Sequence, residues 1–296
     1  MLTGPIINKA WAITKHYKSL WVLGAFAGSI PTWSFQWDMS KHQTLGGAGL
    51  FPESIGTSIA LIMALLVLGL IFAILYLICS AGLIDAVNRI ARGGQYKLGT
   101  SFSIGVDYFW RFLGIFILYI FAFIVMLLAL AIPGAICFWI NILFGFLSLV
   151  VLIPAGIVGF FVMYSVYELT RRAVVTRNVG IGDAVEEAWY LFRHNLATNA
   201  IFALVVLGLS LLIGLVFLVI LGALAAPFVA IAFIQPPPVG LILALVLGIP
   251  VLFLVLILFN GVFGTFMSAI YTLFYFELLQ PGQPITAAYP GQPPVL

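Results

Sequence analysis

Long apolar runs separated by short charged segments make up most of this chain. Two of the runs, residues 112–167 and 194–276, contain no Asp, Glu, Lys or Arg. Since about 20 apolar residues are enough for one membrane-spanning helix, each run predicts two spans. Proline interrupts helical hydrogen bonding, so the turns of these two hairpins are expected at Pro133-Gly134 and at the triple proline 236–238.

Two more spans are expected near the N-terminus. Residues Ser58 to Ser80 form an uninterrupted apolar run of sufficient length. The run Trp21 to Ile30 is shorter, and it crosses a membrane only if its helix begins near Tyr17 and continues past Pro31. A re-entrant or interfacial hairpin is the alternative for this segment. The chain is therefore predicted to contain about six spans.

The charged segment from Glu168 to Leu196 ends in a predicted amphipathic helix. Its apolar residues recur at helical spacing, at Val185, Ala188, Trp189, Phe192 and Leu196. The polar residues on the other side are Asp183, Glu186, Glu187, Arg193 and His194. Directly after Gly182, Asp183 and Glu186 have the spacing of a capping box, in which Asp183 accepts a hydrogen bond from the backbone N–H of Glu186.

This helix is part of a sequence repeat. A shift of 83 residues places the segment that begins at Gly99 on the segment that begins at Gly182, and a third copy begins at Gly4. The residues that match are Trp11 with Trp189, His16 with His194, Asp85 with Glu168, Arg89 with Arg172, and Glu277 with Glu168. The repeat predicts three similar units in one chain.

Each unit is expected to consist of an amphipathic helix followed by a helical hairpin, and units that start on the same side are parallel repeats. The predicted units are residues 1–98, 99–181 and 182–279, and a tail rich in Pro, Gly and Gln follows at 280–296. The predicted fold class is all-α, a polytopic transmembrane helical bundle of about six spans.

Composition supports a membrane location and predicts an orientation. The chain is 64% hydrophobic and only 7% charged, which excludes a soluble domain. Eleven of the 12 Lys and Arg residues lie in the N-terminal segment and in residues 85–111 and 168–193, whereas Lys41 is alone on the other side. By the positive-inside rule, both termini and the two charged segments are expected to be cytoplasmic, in a cytoplasmic (inner) membrane.

The sequence offers no catalytic, cofactor-binding or metal-binding pattern. No ionisable residue lies in the middle of a predicted span, where ion coupling or catalysis usually needs one. The three histidines have no ligand spacing with Cys, Asp or Glu, and Cys79 and Cys137 are not expected to pair. The deepest polar residues, Asn141, Asn199 and Asn260, are expected to bond neighbouring helices rather than a substrate. Nucleic-acid binding has no support, because topology explains the basic residues.

The charged residues at the boundary have two interpretations. Tryptophans of the amphipathic helices are expected at headgroup depth, with His16, Arg111 and His194 directed toward lipid phosphate. Alternatively, the apolar faces of these helices pack beneath the spans as ordinary core. The acid–Arg pairs at four-residue spacing are expected to be structural, and exposed pairs of this kind stabilise a helix by only about 0.3–0.5 kcal/mol.

The charged segment also resembles a known group of proteins. It combines an acid at the end of a span, an Ala-Val-Val run and the pattern Gly-x-x-x-Ala-x-x-x-Ala-Trp ending at Trp189, before a basic amphipathic helix. This combination resembles uncharacterised polytopic membrane proteins of bacteria and archaea that are related to the membrane domain found beside glycerophosphodiester phosphodiesterases. The resemblance does not imply phosphodiesterase activity, because the catalytic barrel needs a soluble domain for which this chain has no room.

Two function classes remain. The first is a structural or accessory subunit of a membrane assembly, without an enzymatic site, whose partners are membrane lipids and a protein in the membrane or at its cytoplasmic face. The second is a transporter or passage for a lipid-like or uncharged solute. An internal cavity lined by Asn141, Asn199 or Asn260 would favour transport, and a filled interior with a flat apolar outer face would favour assembly.

Overall fold

The computed structural model describes residues 3–27, 55–234 and 239–279, and the described residues form nine α-helices without a β-strand. The helices are α1 (Thr3–His16), α2 (Leu20–Ala27), α3 (Ile55–Ala91), α4 (Leu98–Asp107), α5 (Phe109–Ile140), α6 (Ile142–Arg177), α7 (Ile181–His194), α8 (Leu196–Ile234) and α9 (Val239–Leu279). The all-α prediction is confirmed. The predicted tail, residues 280–296, lies outside the described residues.

Five of the described helices, α3, α5, α6, α8 and α9, are long and apolar enough to cross a membrane. They correspond to five of the six predicted spans. Within the described part of the predicted first span, α2 has only eight residues, and the remainder of that segment is not described. The sixth span therefore stays a prediction, as does the division of the chain into three units.

The turn of the α5–α6 hairpin is not where the proline pattern predicts it. Pro133 lies inside α5, which continues to Ile140, and the chain turns at Asn141. The Asn141 side chain accepts a hydrogen bond of 2.9 Å from the backbone N–H of Leu143 and so caps the start of α6. Membrane helices tolerate an interior proline, because neighbouring groups satisfy the freed carbonyl. The triple proline 236–238 lies outside the described residues.

The core of the molecule lies where α3, α6 and α9 end. Helices of 36 to 41 residues are about 54–62 Å long, much longer than the roughly 30 Å hydrocarbon core of a bilayer. Their final turns can therefore pack together beyond the apolar slab. Buried side chains concentrate in residues 77–91 of α3, 166–175 of α6 and 265–278 of α9. These final turns, together with α1, α4 and α7, are called the charged end below.

The three short amphipathic helices each pack on the end of a long helix. α4 packs on α3, α7 on α6, and α1 on α9. α1 and α7 are both 14 residues long, and their buried and exposed positions follow the same order. Ala10 and Ala188 are fully buried, whereas Trp11 and Trp189 are 54% and 49% exposed. Gly105 occupies the equivalent buried position of α4.

Glycine allows the closest of these contacts, between α4 and α3. A Cβ added to Gly105 would collide with the backbone carbonyl of Ile78. In the opposite direction, a Cβ on Gly82 would lie 2.5 Å from the carbonyl oxygen of Ser101. Real Cβ atoms do not approach backbone that closely, so any larger residue at these positions would separate the two helices.

The second amphipathic helix is shorter than the sequence predicts. Its apolar pattern predicts one helix from Thr100 to Leu113, but α4 ends at Asp107 and α5 starts at Phe109. Tyr108 lies between the two helices, and its backbone N–H donates to the carbonyl of Ile104. Because a new helix starts there, the next residues belong to a membrane-spanning element rather than to the surface helix.

The membrane-spanning parts of the hairpins are largely uncovered. In the most apolar 18-residue window of α6 no residue is buried, and in those of α5 and α8 only 6% are. Contacts within the hairpins do exist: the rings of Phe217 and Phe259 stack at 3.7 Å between α8 and α9. The hairpins extend from the charged end with most of their apolar side chains accessible.

Candidate functional site

The most heavily buried charges of the described residues lie on the last turns of α6. Arg172 donates hydrogen bonds to the Glu168 side chain and to its backbone carbonyl, and Arg171 Nη1 lies 3.3 Å from Glu168 Oε1. All three residues are buried, with 8% or less of their surface exposed. Two guanidinium groups therefore share one carboxylate. This group of three residues is called the arginine cluster below.

Aromatic rings enclose the arginine cluster and supply the missing negative potential. The Arg171 guanidinium lies 5.2 Å from the ring centre of Tyr167 and 5.4 Å from that of Phe112, and Arg172 lies 4.9 Å from that of Tyr271. A cation at such distances is attracted by the quadrupole of the ring, more strongly when water is excluded. The rings come from α5, α6 and α9, so the cluster joins three long helices.

The burial of this cluster distinguishes the Glu168–Arg172 pair from an exposed pair of the same spacing. Only 3% of Arg172 is accessible, because the ends of α3 and α9 pack over it. The Nε atoms of Arg171 and Arg172 are both buried without a hydrogen-bond partner. Removing one member of a buried pair leaves an uncompensated charge, which is far more costly than the loss of a surface pair.

A second network joins the ends of α6, α7 and α9. Tyr275, which has no exposed surface, donates a hydrogen bond of 2.7 Å to Glu187 Oε1. The other carboxylate oxygen of Glu187 lies 3.3 Å from Arg177 Nη1. Glu187 therefore connects the amphipathic helix α7 to both long helices beside it.

A polar cleft of about 360 Å³ lies at the charged end. It is lined by Asp85, Arg89, Ile104, Asp107, Tyr108, Arg111 and Asn178. The Arg89 Nε donates to Asp85 at 2.9 Å, and Arg111 Nη1 donates to Asn178 Oδ1 at 2.6 Å. In the cleft, the predicted pair Asp85 and Arg89 of α3 lies next to Arg111. The sequence alone does not predict this proximity.

Asn178 and Tyr108 shape the wall of this cleft. Asn178 follows α6 with a φ of 54°, in the left-handed region that asparagine tolerates better than most residues. The Tyr108 hydroxyl donates to Asn178 Oδ1 at 3.0 Å. Burial, together with the charges of Asp85 and Asp107, raises the pKa of the Tyr108 phenol, and Arg111 opposes that rise in part. The phenol thus keeps its proton and remains a hydrogen-bond donor.

The tryptophan and histidine of α1 occupy positions in their helix equivalent to those of the tryptophan and histidine of α7. Trp11 packs edge-to-face on Phe266 of α9 at 5.8 Å. Trp189 stacks on Phe192 of its own helix, and His16 and His194 are exposed beside aromatic neighbours. Each tryptophan is half exposed while the opposite helix face is buried. The buried faces fit packing on the long helices, and a position of the exposed tryptophans and histidines at lipid headgroups stays a prediction.

The predicted capping box at α7 is wrong. The helix begins at Ile181, and its N-cap is Gly180, without a side-chain hydrogen bond. Asp183 is then the third helical residue and sits in the first turn, where a carboxylate interacts favourably with the helix dipole. Gly182, like Gly4 and Gly99, is the second residue of its helix, and all three have open space at the Cβ position.

The three asparagines do not line one cavity. Asn141 lies at the hairpin turn rather than deep within a span. Asn199 is buried near the start of α8 and donates to the carbonyl of Asn195 at 3.0 Å, and Asn260 lies in the middle of α9. They occupy three different depths. Among residues 3–27, 55–234 and 239–279, no group of three or more His, Cys, Asp or Glu side chains could hold a metal ion.

The sequence reasoning missed several residues of the charged end. The sequence patterns do not indicate Arg171, Asn178 or the tyrosines around the arginine cluster, and they assign Glu187 only to the polar face of the amphipathic helix. One available signal is tyrosine at helical spacing near the ends of two spans, at Tyr164 and Tyr167 and at Tyr271 and Tyr275. The last predicted residue, Glu277, lies on α9 with one carboxylate oxygen buried and without a hydrogen-bond partner.

The nine described helices, five of them apolar enough to span, define a multi-pass helical membrane protein. The chain belongs to a family of unknown function, DUF7544, which matches residues 14–282. Comparison with curated proteins gives no match, and comparison with solved structures gives none either. The family supports the resemblance to uncharacterised membrane proteins, and it carries no link to the phosphodiesterase-associated domain.

Proposed function

We propose that this protein is a structural or accessory subunit of a membrane assembly and that it carries no reaction of its own. The observation behind the proposal is the contrast between the two parts of the fold. The charged end is tightly packed and cross-linked by buried ionic and aromatic contacts, whereas no residue in the most apolar window of α6 is buried. A tightly packed charged end with extended hairpins suits a protein whose membrane-spanning helices bind a partner.

Uncovered apolar side chains alone do not require a protein partner, because lipid tails solvate them equally well. Small residues are more specific, since they let two helix backbones approach each other. On α8, a Cβ added to Gly208, Gly214 or Gly222 would meet nothing within 4 Å, whereas on α6 one added to Gly159 would lie 2.9 Å from the Met126 sulfur. Open glycines in the lipid-facing part of a helix support a partner helix at that surface.

The parallel-repeat organisation is part of the proposal. It is supported by the matching burial of α1 and α7 and by the packing of each amphipathic helix on the end of a long helix. Three such pairs, α1 with α9, α4 with α3 and α7 with α6, are linked into a ring at the charged end, because α3, α6 and α9 each contact the other two. A ring of this type holds three hairpins at fixed positions without extensive contact inside the membrane.

The charged end is proposed to face the cytoplasm of the inner membrane, because the charged end and the residues directly adjoining it carry 11 of the 12 Lys and Arg residues. Topology reporters test this orientation. A reporter fused after Leu296 is expected to stay inside, and one inserted at Gly47 is expected outside. An inside signal at Gly47 would mean that the first apolar segment does not cross.

A defined partner is the direct test of the scaffold role. The protein is extracted gently from its own membrane, and co-purifying proteins are quantified with and without residues 280–296. If the hairpins hold the partner, we expect one partner at constant stoichiometry in both preparations. If the tail holds it, the partner should be lost from the preparation that lacks residues 280–296. Recovery of the chain with no protein at constant stoichiometry would contradict the scaffold role.

The alternative is a passage for a lipid-like or uncharged solute. It is favoured by one observation: in the described residues, α5 and α6 make no extensive contacts with α8, which leaves room between hairpins. Reconstituted vesicles test it. Solute flux that depends on the protein and is abolished by Asn260→Leu, but not by Asn141→Leu at the hairpin turn, would favour this alternative.

The resemblance to the membrane domain found beside glycerophosphodiester phosphodiesterases rests on the segment that ends at Trp189. It is compatible with a scaffold role, since a domain of that kind accompanies a catalytic partner instead of acting itself. No phosphodiesterase activity is proposed for this chain.

A further inference from the structure

The cleft between α4 and the ends of α3 and α6 has free hydrogen-bond donors. Within the described residues, Arg89 bonds protein only through Nε, and Arg111 only through Nη1. A guanidinium carries five N–H donors, so the Nη groups of Arg89 and the Nη2 of Arg111 remain for a ligand. Two guanidinium groups at one cleft are well suited to a phosphate, which they bind through paired hydrogen bonds.

The charge balance of the cleft restricts which phosphate it can hold. Asp85 and Asp107 offset the two arginines, so the lining is neutral overall. Asp85 is occupied by Arg89, whereas the exposed carboxylate of Asp107 forms no hydrogen bond or salt bridge within the described residues. A ligand with several negative charges would be repelled by Asp107. A ligand that carries one phosphate and one ammonium group would satisfy both signs.

Exposed apolar residues adjoin the cleft lining along the chain. Ile104 forms part of the wall, and Val106 and Trp110, which are next to the lining residues Asp107 and Arg111 in the sequence, are 48% and 75% exposed. Trp110 is the second residue of the spanning helix α5, the level at which tryptophan anchors helices at the headgroup boundary. A ligand bound here can therefore place acyl chains along α5 while its polar group fills the cleft.

We infer that this cleft binds the headgroup of a zwitterionic phospholipid of the phosphatidylethanolamine type, with Arg89 and Arg111 on the phosphate and Asp107 on the ammonium. Soluble phosphoethanolamine has the same polar chemistry, but it lacks the chains that the apolar surroundings can receive. The site does not depend on the scaffold role, because a headgroup can bind whether or not a protein partner is present.

Native mass spectrometry of the delipidated full chain tests this site. The protein is titrated with phosphatidylethanolamine and with phosphatidylglycerol of the same acyl chains. We expect wild type to prefer phosphatidylethanolamine by about tenfold, the effect of one charge-assisted hydrogen bond. Asp107→Asn removes the ammonium partner and leaves a net positive cleft, so it should abolish or reverse that preference. A reversed preference cannot result from unfolding.

Two further variants and one soluble ligand complete the test. Arg111→Gln should weaken phosphatidylethanolamine binding about tenfold, and Arg193→Gln, an exposed arginine of α7 outside the cleft, should leave it unchanged. Soluble phosphoethanolamine should bind at least about tenfold more weakly than the lipid. Equal binding of both lipids by wild type, or an unchanged preference in Asp107→Asn, would overturn the headgroup site. Equal binding of lipid and soluble phosphoethanolamine would overturn the lipid assignment.

Discussion

Tyr275 of α9 donates a hydrogen bond of 2.7 Å to the Glu187 carboxylate of α7. The tyrosine has no exposed surface, and the same carboxylate pairs with Arg177 at the end of α6. Three helices, α6, α7 and α9, therefore meet at one side chain. Because α7 packs mainly on α6 and has few other attachments to α9, this bond contributes to holding the amphipathic helix against α9.

Tyr275→Phe is expected to loosen α7. The substitution keeps the buried ring and removes one hydrogen bond to a charged group, which costs about 1.5–3 kcal/mol. Hydrogen exchange of the α7 amides should become faster, while that of α4 stays unchanged. Tyr190→Phe is the matched control, because Tyr190 is exposed on α7 itself and its hydroxyl forms no hydrogen bond within the described residues. Equal exchange in both variants would show that the bond contributes little.

Glu168→Leu is expected to be among the most destabilising changes in the chain. It leaves Arg171 and Arg172 buried without a carboxylate, a loss of about 3–5 kcal/mol for a buried ion pair. Unfolding of the purified protein in mixed micelles measures the effect. Arg89→Leu is the comparison, because that side chain is 42% exposed and its pair with Asp85 contributes only about 0–1 kcal/mol.

A combined replacement separates charge from packing. If Glu168, Arg171 and Arg172 are all changed to Leu, no charge remains in the arginine cluster, and much of the lost stability should return. A triple variant as unstable as Glu168→Leu would mean that the arginines act mainly through their contacts with the surrounding rings.

Gly105→Ala and Gly69→Ala are expected to have opposite effects. A Cβ at Gly105 collides with the Ile78 carbonyl of α3, so the variant should lose about 1–3 kcal/mol through overpacking. A Cβ at Gly69 meets nothing within 4 Å, and alanine stabilises an open helical position by roughly 0.5–1 kcal/mol. Thermal unfolding of the two variants checks both signs. A stable Gly105→Ala would contradict the close packing of α4 on α3.

The sequence was sufficient for the elements but not for the way in which their ends meet. The uncharged runs and the apolar spacing of the amphipathic helices determine local structure, and those predictions agree with α3 to α9. Helical periodicity shows which side of α6 carries Glu168 and Arg172, but it cannot show that α3 and α9 cover that side. The buried arginine cluster therefore became visible only in the tertiary structure.

The errors in the sequence reasoning have local causes. Proline disrupts soluble helices and so predicts a turn at Pro133, yet α5 continues through it and the chain turns at Asn141, whose side chain caps α6. The spacing of Asp183 and Glu186 predicts a capping role for Asp183, but α7 starts at Ile181 and leaves the aspartate inside the first turn. In both cases the prediction fails because the helix boundary lies at a different residue from the one that the sequence pattern indicates.

The central claim is that this protein acts by association through its uncovered hairpins. Gly208 and Gly222 of α8 are 14 residues apart, about four helical turns, and so lie on the same side, whereas Gly214 lies about 120° from Gly208 and about 80° from Gly222. All three have open space at the Cβ position. The two aligned glycines are the proposed contact surface for a partner helix, and Gly214→Leu is the matched control.

The most direct measurement is the mass of the intact complex extracted from its native membrane with the surrounding lipid. We expect a defined assembly larger than one chain for wild type and for Gly214→Leu, and dissociation in the double variant Gly208→Leu, Gly222→Leu. A single chain accompanied only by lipid in all three preparations would contradict the central claim.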